Sequence, residues 1–201
     1  LGTIIMWATE QQPFFMGILV SALVGIVLTL PISSAAVCAA LSLTGLAGGA
    51  AVAGCCAQMV GFAVCTYREN KMNGLVSIGL GTSMLLVANL MSKPILWLPP
   101  TLAAAVTGPI ATCIFNLQMN GSPISSGMGT SGLVGPIGVV TGWFTPSEAA
   151  LNAGASAIAP GAMDWIGLVL ICFVLPAALA LLFSEIMRKQ GWIKKGDYKL
   201  V

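Results

Sequence analysis

NGSPISSGMGTSGLVGPIG, residues 120–138, interrupts a long apolar run without adding a charge. It holds six glycines, two prolines and five serines or threonines. Glycine and proline disfavour helix, and the lack of charge suits a membrane interior better than a solvated loop. Non-helical backbone persists at membrane depth only where protein or water satisfies its polar groups. The segment therefore predicts a broken or re-entrant stretch beside a polar cavity.

Charged residues are also scarce on both sides of this segment. Of 201 residues, 57% are hydrophobic and 7% are charged, and the mean hydropathy is +0.97. A soluble domain carries about 25% charged residues. The stretches without Asp, Glu, Lys or Arg are 11–67, 72–92, 94–147 and 165–184. Since one span needs about 20 apolar residues, these stretches predict about six or seven transmembrane helices.

The expected fold class is an all-α polytopic membrane protein with Gly/Pro/Ser-rich broken or re-entrant segments. The composition excludes disorder, nucleic-acid binding and a secreted disulfide scaffold. Prolines, glycines and charges mark the helix ends. The predicted spans are 14–30, 46–66, 75–91, 101–117 and 165–187, with a half-helix over 33–43 and a crossing completed by 139–144. Residues 1–201 are expected to form one transmembrane domain with repeats 13–92 and 95–187 and a short basic tail, 188–201.

Basic residues predict the orientation, because cytoplasmic loops carry an excess of Lys and Arg. The tail holds five of them and is expected in the cytoplasm, whereas the loop 145–164 has two acids and no base and is expected outside. Successive spans cross the membrane in opposite directions. Counted back from the tail, this predicts that the loop 68–71 lies inside and Lys93 outside.

Two short motifs occur twice. Pro31-Ile32-Ser33-Ser34 recurs as Pro123-Ile124-Ser125-Ser126, and the segment 79–83 resembles 127–131. On the predicted topology, the two Pro-Ile-Ser-Ser copies begin on opposite sides of the membrane, as in an inverted repeat. Transporters often bind substrate where such interrupted segments meet. Chance similarity in a chain rich in small residues is the alternative interpretation.

Hydroxyl and amide groups near these motifs are the candidate ligands of a solute. The predicted substrate-binding residues are Ser33, Ser34, Thr44, Asn120, Ser125, Ser126, Gly129, Thr130 and Ser131. A charged solute would need compensating charges in a low-dielectric site, so this uncharged set predicts a small neutral, hydroxylated solute. The sequence has no histidine and no catalytic constellation, and it predicts neither a metal nor a cofactor.

Nine blocks spread over nearly the whole chain carry a family resemblance. They are QPFFMGI (12–18), LTLPISSAA (28–36), LTGLAGGA (43–50), AGCCAQMVGFAV (53–64), GLGTSM (79–84), TGPIAT (107–112), the segment 119–138, MDW (163–165) and GWIK (191–194). Together they resemble the phosphotransferase system EIIC-like membrane family, which is also described as perfringolysin-regulator-like or toxin-regulator-like. The resemblance implies a multi-pass sugar-transporter subunit IIC of the bacterial plasma membrane that cooperates with IIA and IIB proteins. It also implies a homodimer and a family chain that is longer at the N-terminus.

The predicted function is therefore a IIC-like permease subunit for a small, neutral, sugar-like solute, with alternating access through the broken helices. If it takes part in an enzymatic reaction, it does so as the membrane subunit of a sugar phosphotransferase system. The alternative is a membrane sensor or regulatory protein without transport activity, whose tail contacts a cytoplasmic partner. The other role open to that tail is attachment to anionic lipid.

Overall fold

The computed structural model describes residues 2–200, and within them the regular structure is helical, without strands. Eleven helices occur in this range when 3-10 and π turns are counted with the helices they continue, apart from the π turn Ser77–Gly81. In chain order they are α1 (Gly2–Gln11), α2 (Pro13–Thr29), α3 (Ser34–Ala40), α4 (Gly45–Cys65), α5 (Tyr67–Val76), α6 (Ser83–Ser92), α7 (Pro94–Ile114), α8 (Pro123–Ser126), α9 (Ser131–Phe144), α10 (Glu148–Asn152) and α11 (Ala162–Lys189).

Three helices in the described range are long and apolar enough to cross a membrane, namely α4, α7 and α11. Three shorter helices, α2, α6 and α9, are apolar as well. The helical and apolar character predicted from the sequence is confirmed. The helices α2, α4 and α11 begin and end within about three residues of the predicted spans.

Helix α4 lies at the centre of the bundle and packs against α2, α7 and α11. Its sequence is rich in glycine and alanine, which lets neighbouring backbones approach closely in a membrane protein. A Cβ atom on Gly54 would overlap the Ser21 carbonyl of α2, and Gly61 faces Pro100 of α7 and Ala180 of α11. Ser21 also donates a buried hydrogen bond to the Ala104 carbonyl at 2.8 Å, which joins α2 to α7. Small residues therefore set the spacing of this core.

The charged side chains lie at the two ends of the bundle. Three ion pairs mark the end where α4 and α11 finish: Arg68–Glu185, Glu69–Arg188 and Lys93–Asp197. All eight Lys and Arg lie on or beside these segments, and we name this the basic end. The opposite end, where α4 begins, carries Glu10, Glu148 and Asp164, and we name it the acidic end.

Residues 67–92 form a hairpin of α5 and α6 instead of the predicted span over 75–91. A π turn at Ser77–Gly81 ends at Thr82, whose backbone is extended (φ −153°). Both arms of the hairpin return to the basic end, where the side chain of Asn89 and the ion pair of Lys93 reach the tail. The predictions of a crossing here, and of Lys93 on the side opposite the tail, are therefore wrong.

The tail packs against this hairpin. Tyr198 is fully buried and its hydroxyl donates to the Leu96 carbonyl at 2.8 Å. Burial raises the pKa of the phenol, so the hydroxyl stays protonated as a donor. Asn70 donates to the Tyr198 carbonyl at 2.7 Å and accepts from the Leu200 N–H at 2.9 Å. Through residue 200 the tail is therefore part of the fold, with its lysines exposed.

Docking of the tail should depend on pH through Asp197. Burial raises the pKa of this carboxyl, but hydrogen bonds from Lys93 and the Lys194 N–H outweigh that effect and hold the pKa below its usual value. A lowered pKa stabilises the folded state above the ordinary carboxyl value of about 4, and this stabilisation is lost as the pH falls through the lowered value. We expect amide exchange in residues 196–200, corrected for intrinsic rates, to accelerate over that acidic range. Equal pH dependence in Asp197→Asn would contradict this assignment.

Candidate functional site

A cavity of about 500 Å³ lies at the acidic end. Its walls come from α1, from the first turn of α4, from the non-helical segment 115–122 and from the loop after α10. Trp7, Glu10 and Gly154 are exposed at its rim. The volume lies within the range of about 300–1,000 Å³ that is usual for small-molecule sites.

A backbone bridge holds the floor of the cavity in place. The Gly45 N–H donates to the Met119 carbonyl at 3.0 Å, and the Met119 N–H donates to the Gly45 carbonyl at 2.9 Å. Just before this bridge, Asn116 turns the chain with a positive φ of 47°, a conformation that Asn tolerates better than most residues. The non-helical backbone between α7 and α8 is thereby tied to the N-terminus of α4.

The side chain of Asn120 is the least satisfied polar group of the cavity. Asn120 is 3% exposed, and its Nδ2 donates to Gln118 Oε1 at 3.3 Å. Its Oδ1 is buried and accepts no hydrogen bond from the described residues. A buried acceptor without a partner costs about 1–3 kcal/mol, so a hydrogen bond to this atom would be favourable.

One face of α1 forms the opposite wall. Thr3, Met6, Trp7 and Glu10 recur with helical spacing and all line the cavity. This wall supplies an aromatic surface next to a carboxylate. An apolar surface with a few convergent polar groups is the usual composition of a site for a small organic molecule.

The electrostatics of the cavity come from one carboxylate and one helix terminus. Glu10 is the charged residue in the lining, and the N-terminus of the 21-residue helix α4 brings partial positive charge to the floor. Among residues 2–200, no group of three or more His, Cys, Asp or Glu side chains is placed to hold a metal ion. A second cavity of about 230 Å³, between α1, α2 and α3, has a wholly apolar lining and does not suit a hydroxylated molecule.

The nine predicted substrate-binding residues fall into three groups. Thr44 and Asn120 line the cavity. Four others donate to backbone carbonyls across the broken segments: Ser34 to Gly127 at 2.6 Å, Ser126 to Leu43 at 2.7 Å, Thr130 to Gly79 at 2.6 Å and Ser131 to Gly81 at 2.8 Å. The remaining three are Ser33, which caps α3, Ser125, which is buried against Gly138, and Gly129, which packs on Cys55. A direct role of these seven in solute binding stays a prediction.

The α1 residues that line the cavity are not among the nine residues predicted to bind substrate. The sequence pattern that could have identified them is the spacing of Thr3, Trp7 and Glu10, which places a threonine, an aromatic ring and a carboxylate on one helical face. That spacing becomes informative only when α1 is known to pack near Gln118 and Asn120, more than 100 residues away.

An α-helical bundle with apolar spans and a polar cavity beside broken segments is an arrangement found in membrane transport proteins. The chain belongs to the family described as "Phosphotransferase system, EIIC", which matches residues 1–200. No curated protein and no solved structure matches it. The family resemblance seen in the sequence is confirmed, and membership supports a membrane-embedded sugar-transporter permease subunit. Membership of this family does not support a role in toxin regulation.

Proposed function

We propose that the chain is the permease subunit for a small, neutral, sugar-like solute that binds in the acidic-end cavity. The observation that carries this proposal is the unpartnered, buried Oδ1 of Asn120. A sugar hydroxyl donating to this atom removes the cost of leaving it unpaired. Thr44 and Gln118 add further hydrogen-bonding groups, and the Trp7 ring offers an apolar surface to the C–H face of a sugar ring.

The charge of the cavity favours a neutral solute over an anion. Glu10 lines the rim, and no Lys or Arg lines the cavity among the described residues. An anion would meet the Glu10 carboxylate without a cationic partner, whereas a neutral hydroxyl can donate to it. The amides of Gln118 and Asn120 interact with neutral groups without requiring charge.

The course of the helices supports seven membrane crossings. These are α2, α3 with residues 41–44, α4, α7, the segment 115–130, α9 and α11, with the α5–α6 hairpin entering from the basic end only. Because all the basic residues gather there, we place the basic end and the tail in the cytoplasm of a bacterium. IIA and IIB partners would approach the same end.

Contacts between the two Pro-Ile-Ser-Ser copies support alternating access. Helices α3 and α8 pack together. Ser34 donates to the Gly127 carbonyl, just after α8, and Ser126 donates to the Leu43 carbonyl, shortly after α3. We take the regions 13–92 and 95–187 of the single domain as the halves that move relative to each other. The cavity lies where their broken segments meet, as in other repeat-built transporters. The predicted homodimer stays a prediction.

Solute binding is tested by thermal shift on the purified chain. We expect stabilisation by at least one neutral sugar or polyol among glucose, galactose, fructose and mannitol, and weaker or no stabilisation by the negatively charged analogues gluconate and glucuronate. Binding to the folded state alone adds about 2.7 kcal/mol at a hundredfold excess over Kd. Stabilisation by lipids only, or by the charged analogues equally, would rule out the proposal.

Asn120→Leu should lower the affinity for the stabilising sugar at least tenfold, since the acceptor in the cavity is lost. The same change should alter the stability of the ligand-free protein by no more than about 1 kcal/mol, because losing the long hydrogen bond from Nδ2 to Gln118 is offset by removing a buried acceptor that has no partner among the described residues. Asn152→Leu, at an exposed position on α10, is the matched control and should not alter affinity. Equal affinities of the two variants, measured by calorimetry, would remove Asn120 from the site.

A further inference from the structure

The tip of the α5–α6 hairpin, residues 77–83, receives three side-chain hydrogen bonds from other parts of the bundle. Thr130 donates to the Gly79 carbonyl at 2.6 Å, and Ser131 donates to the Gly81 carbonyl at 2.8 Å. Thr29, at the end of α2, shares a hydrogen bond of 3.1 Å with Ser83. Thr29, Ser83 and Thr130 are completely buried, so water is excluded from the Thr29–Ser83 bond, whereas the Ser131–Gly81 bond lies at the exposed side of the tip.

The carbonyls at the tip need such donors because the helix ends there. The final carbonyls of a helix have no partner within it, and the chain becomes extended at Thr82. The hydroxyls of Thr130 and Ser131 therefore cap the end of this arm from a distant segment. If the tip moved away, water could replace them, so each bond can be exchanged at small cost.

A continuous line of contacts leads from the cavity to this tip. Thr44 and Asn120 lie at the cavity, and below them Ser126 bonds to Leu43 and Ser34 bonds to Gly127. Further towards the basic end, Gly129 packs on the Cys55 backbone, where an added Cβ would lie 2.7 Å from the carbonyl carbon. Thr130 and Ser131 follow directly. The cavity is thus separated from the basic end by packed protein whose last layer is the hairpin tip.

We propose that the hairpin tip is the gate at the basic end and that the hydroxyls of Thr29, Thr130 and Ser131 hold it closed while the cavity faces the acidic end. This inference rests on the proposed transport function, and it assigns the second broken segment to gating. The tail holds the base of the hairpin through Lys93 and Asn70, so opening would move the tip relative to this anchored base.

The gate is tested by the sidedness of thiol labelling at Leu46, a half-buried residue of the cavity lining. Leu46→Cys is made together with Cys113→Ala, because Cys113 is the exposed cysteine and the other five are buried. A membrane-impermeant thiol reagent is added to sealed vesicles of either orientation. We expect labelling with the acidic end outward and none with the basic end outward. Equal labelling in both orientations of this parent would overturn the gate.

Thr130→Val keeps the shape of the side chain and removes its donor. Losing one such bond should raise labelling from the basic end about threefold to tenfold. Thr141→Val is the matched control, because Thr141 bonds to Gly138 within its own helix. Equal rates for the two variants would contradict the assignment. Neither measurement uses a solute, so failure of sugar binding and failure of the gate are separate results.

Amide exchange in the ligand-free protein gives an independent readout. Thr130→Val and the milder Ser131→Ala should each accelerate exchange over 77–83 and leave α4 and α11 unchanged. Ser92→Ala controls for the second change, since Ser92 bonds to Ala88 in its own helix. Acceleration over the whole bundle, or none at the tip, would show that the bonds do not form a gate.

Discussion

Gly54→Ala should prevent the chain from accumulating as a folded, monodisperse protein. The added Cβ would overlap the carbonyl carbon and oxygen of Ser21, which belong to the backbone of α2 and cannot rotate away. Overpacking of a core costs about 1–3 kcal/mol when side chains can adjust, and we expect more here because two helices must separate. Separation would also stretch the bond from Ser21 to the Ala104 carbonyl. Size-exclusion chromatography and the thermal midpoint in detergent measure the effect.

Gly81→Ala is the control for this prediction. A Cβ at Gly81 meets no atom within 4 Å, so this change should shift the stability by no more than about 0.5 kcal/mol. Similar yields and midpoints for the two variants would mean that α2 and α4 are not held at the observed spacing. The contrast tests packing alone, because both changes add one methyl group to a glycine.

The parts of the fold that the sequence predicted are those with local signals. Helix α2 begins at Pro13 and ends just before Pro31, and α11 fills a long run without charge, so the sequence marks where both helices begin and end. The segment 75–91 had the length and apolarity of a span as well. Its reversal near Thr82 depends on donors from Thr130 and Ser131, about 50 residues away. No local pattern carries that information.

The candidate site was predictable to the same extent. Thr44 and Asn120 were selected because they flank the broken segments, and the structure brings both to one cavity. Ser126 and Thr130 were selected for the same reason, yet their hydroxyls are used by backbone carbonyls. A hydroxyl in a broken segment can donate its hydrogen bond either to a solute or to a carbonyl of the unwound backbone. Which of the two it binds depends on where the unpaired carbonyls lie in the folded protein, and the sequence does not contain that information locally.

Arg188→Ala should lower the stability by about 3–5 kcal/mol, the usual cost of leaving one partner of a buried ion pair alone. Arg188 donates to both carboxylate oxygens of Glu69, at 3.0 and 3.2 Å, and to the Cys65 carbonyl. The two side chains are only 12% and 6% exposed. Arg68→Ala is the matched control, since its pair with Glu185 is 63% and 37% exposed and should contribute about 0–1 kcal/mol. Thermal midpoints of the two variants compare the pairs directly.

The double variant Glu69→Met/Arg188→Met separates the attraction within the pair from the penalty of a lone buried charge. If the penalty dominates, the double variant should recover most of the stability that Arg188→Ala loses, because apolar residues of similar volume leave no charge unpaired. The tail should nevertheless loosen, since Glu69 also accepts from the Gly196 N–H and Arg188 lies 5.7 Å from the centre of the Tyr198 ring. Recovered bundle stability with faster exchange in residues 196–200 would assign the pair to docking of the tail. A double variant as unstable as the single one would show instead that the pair itself holds α5 against α11.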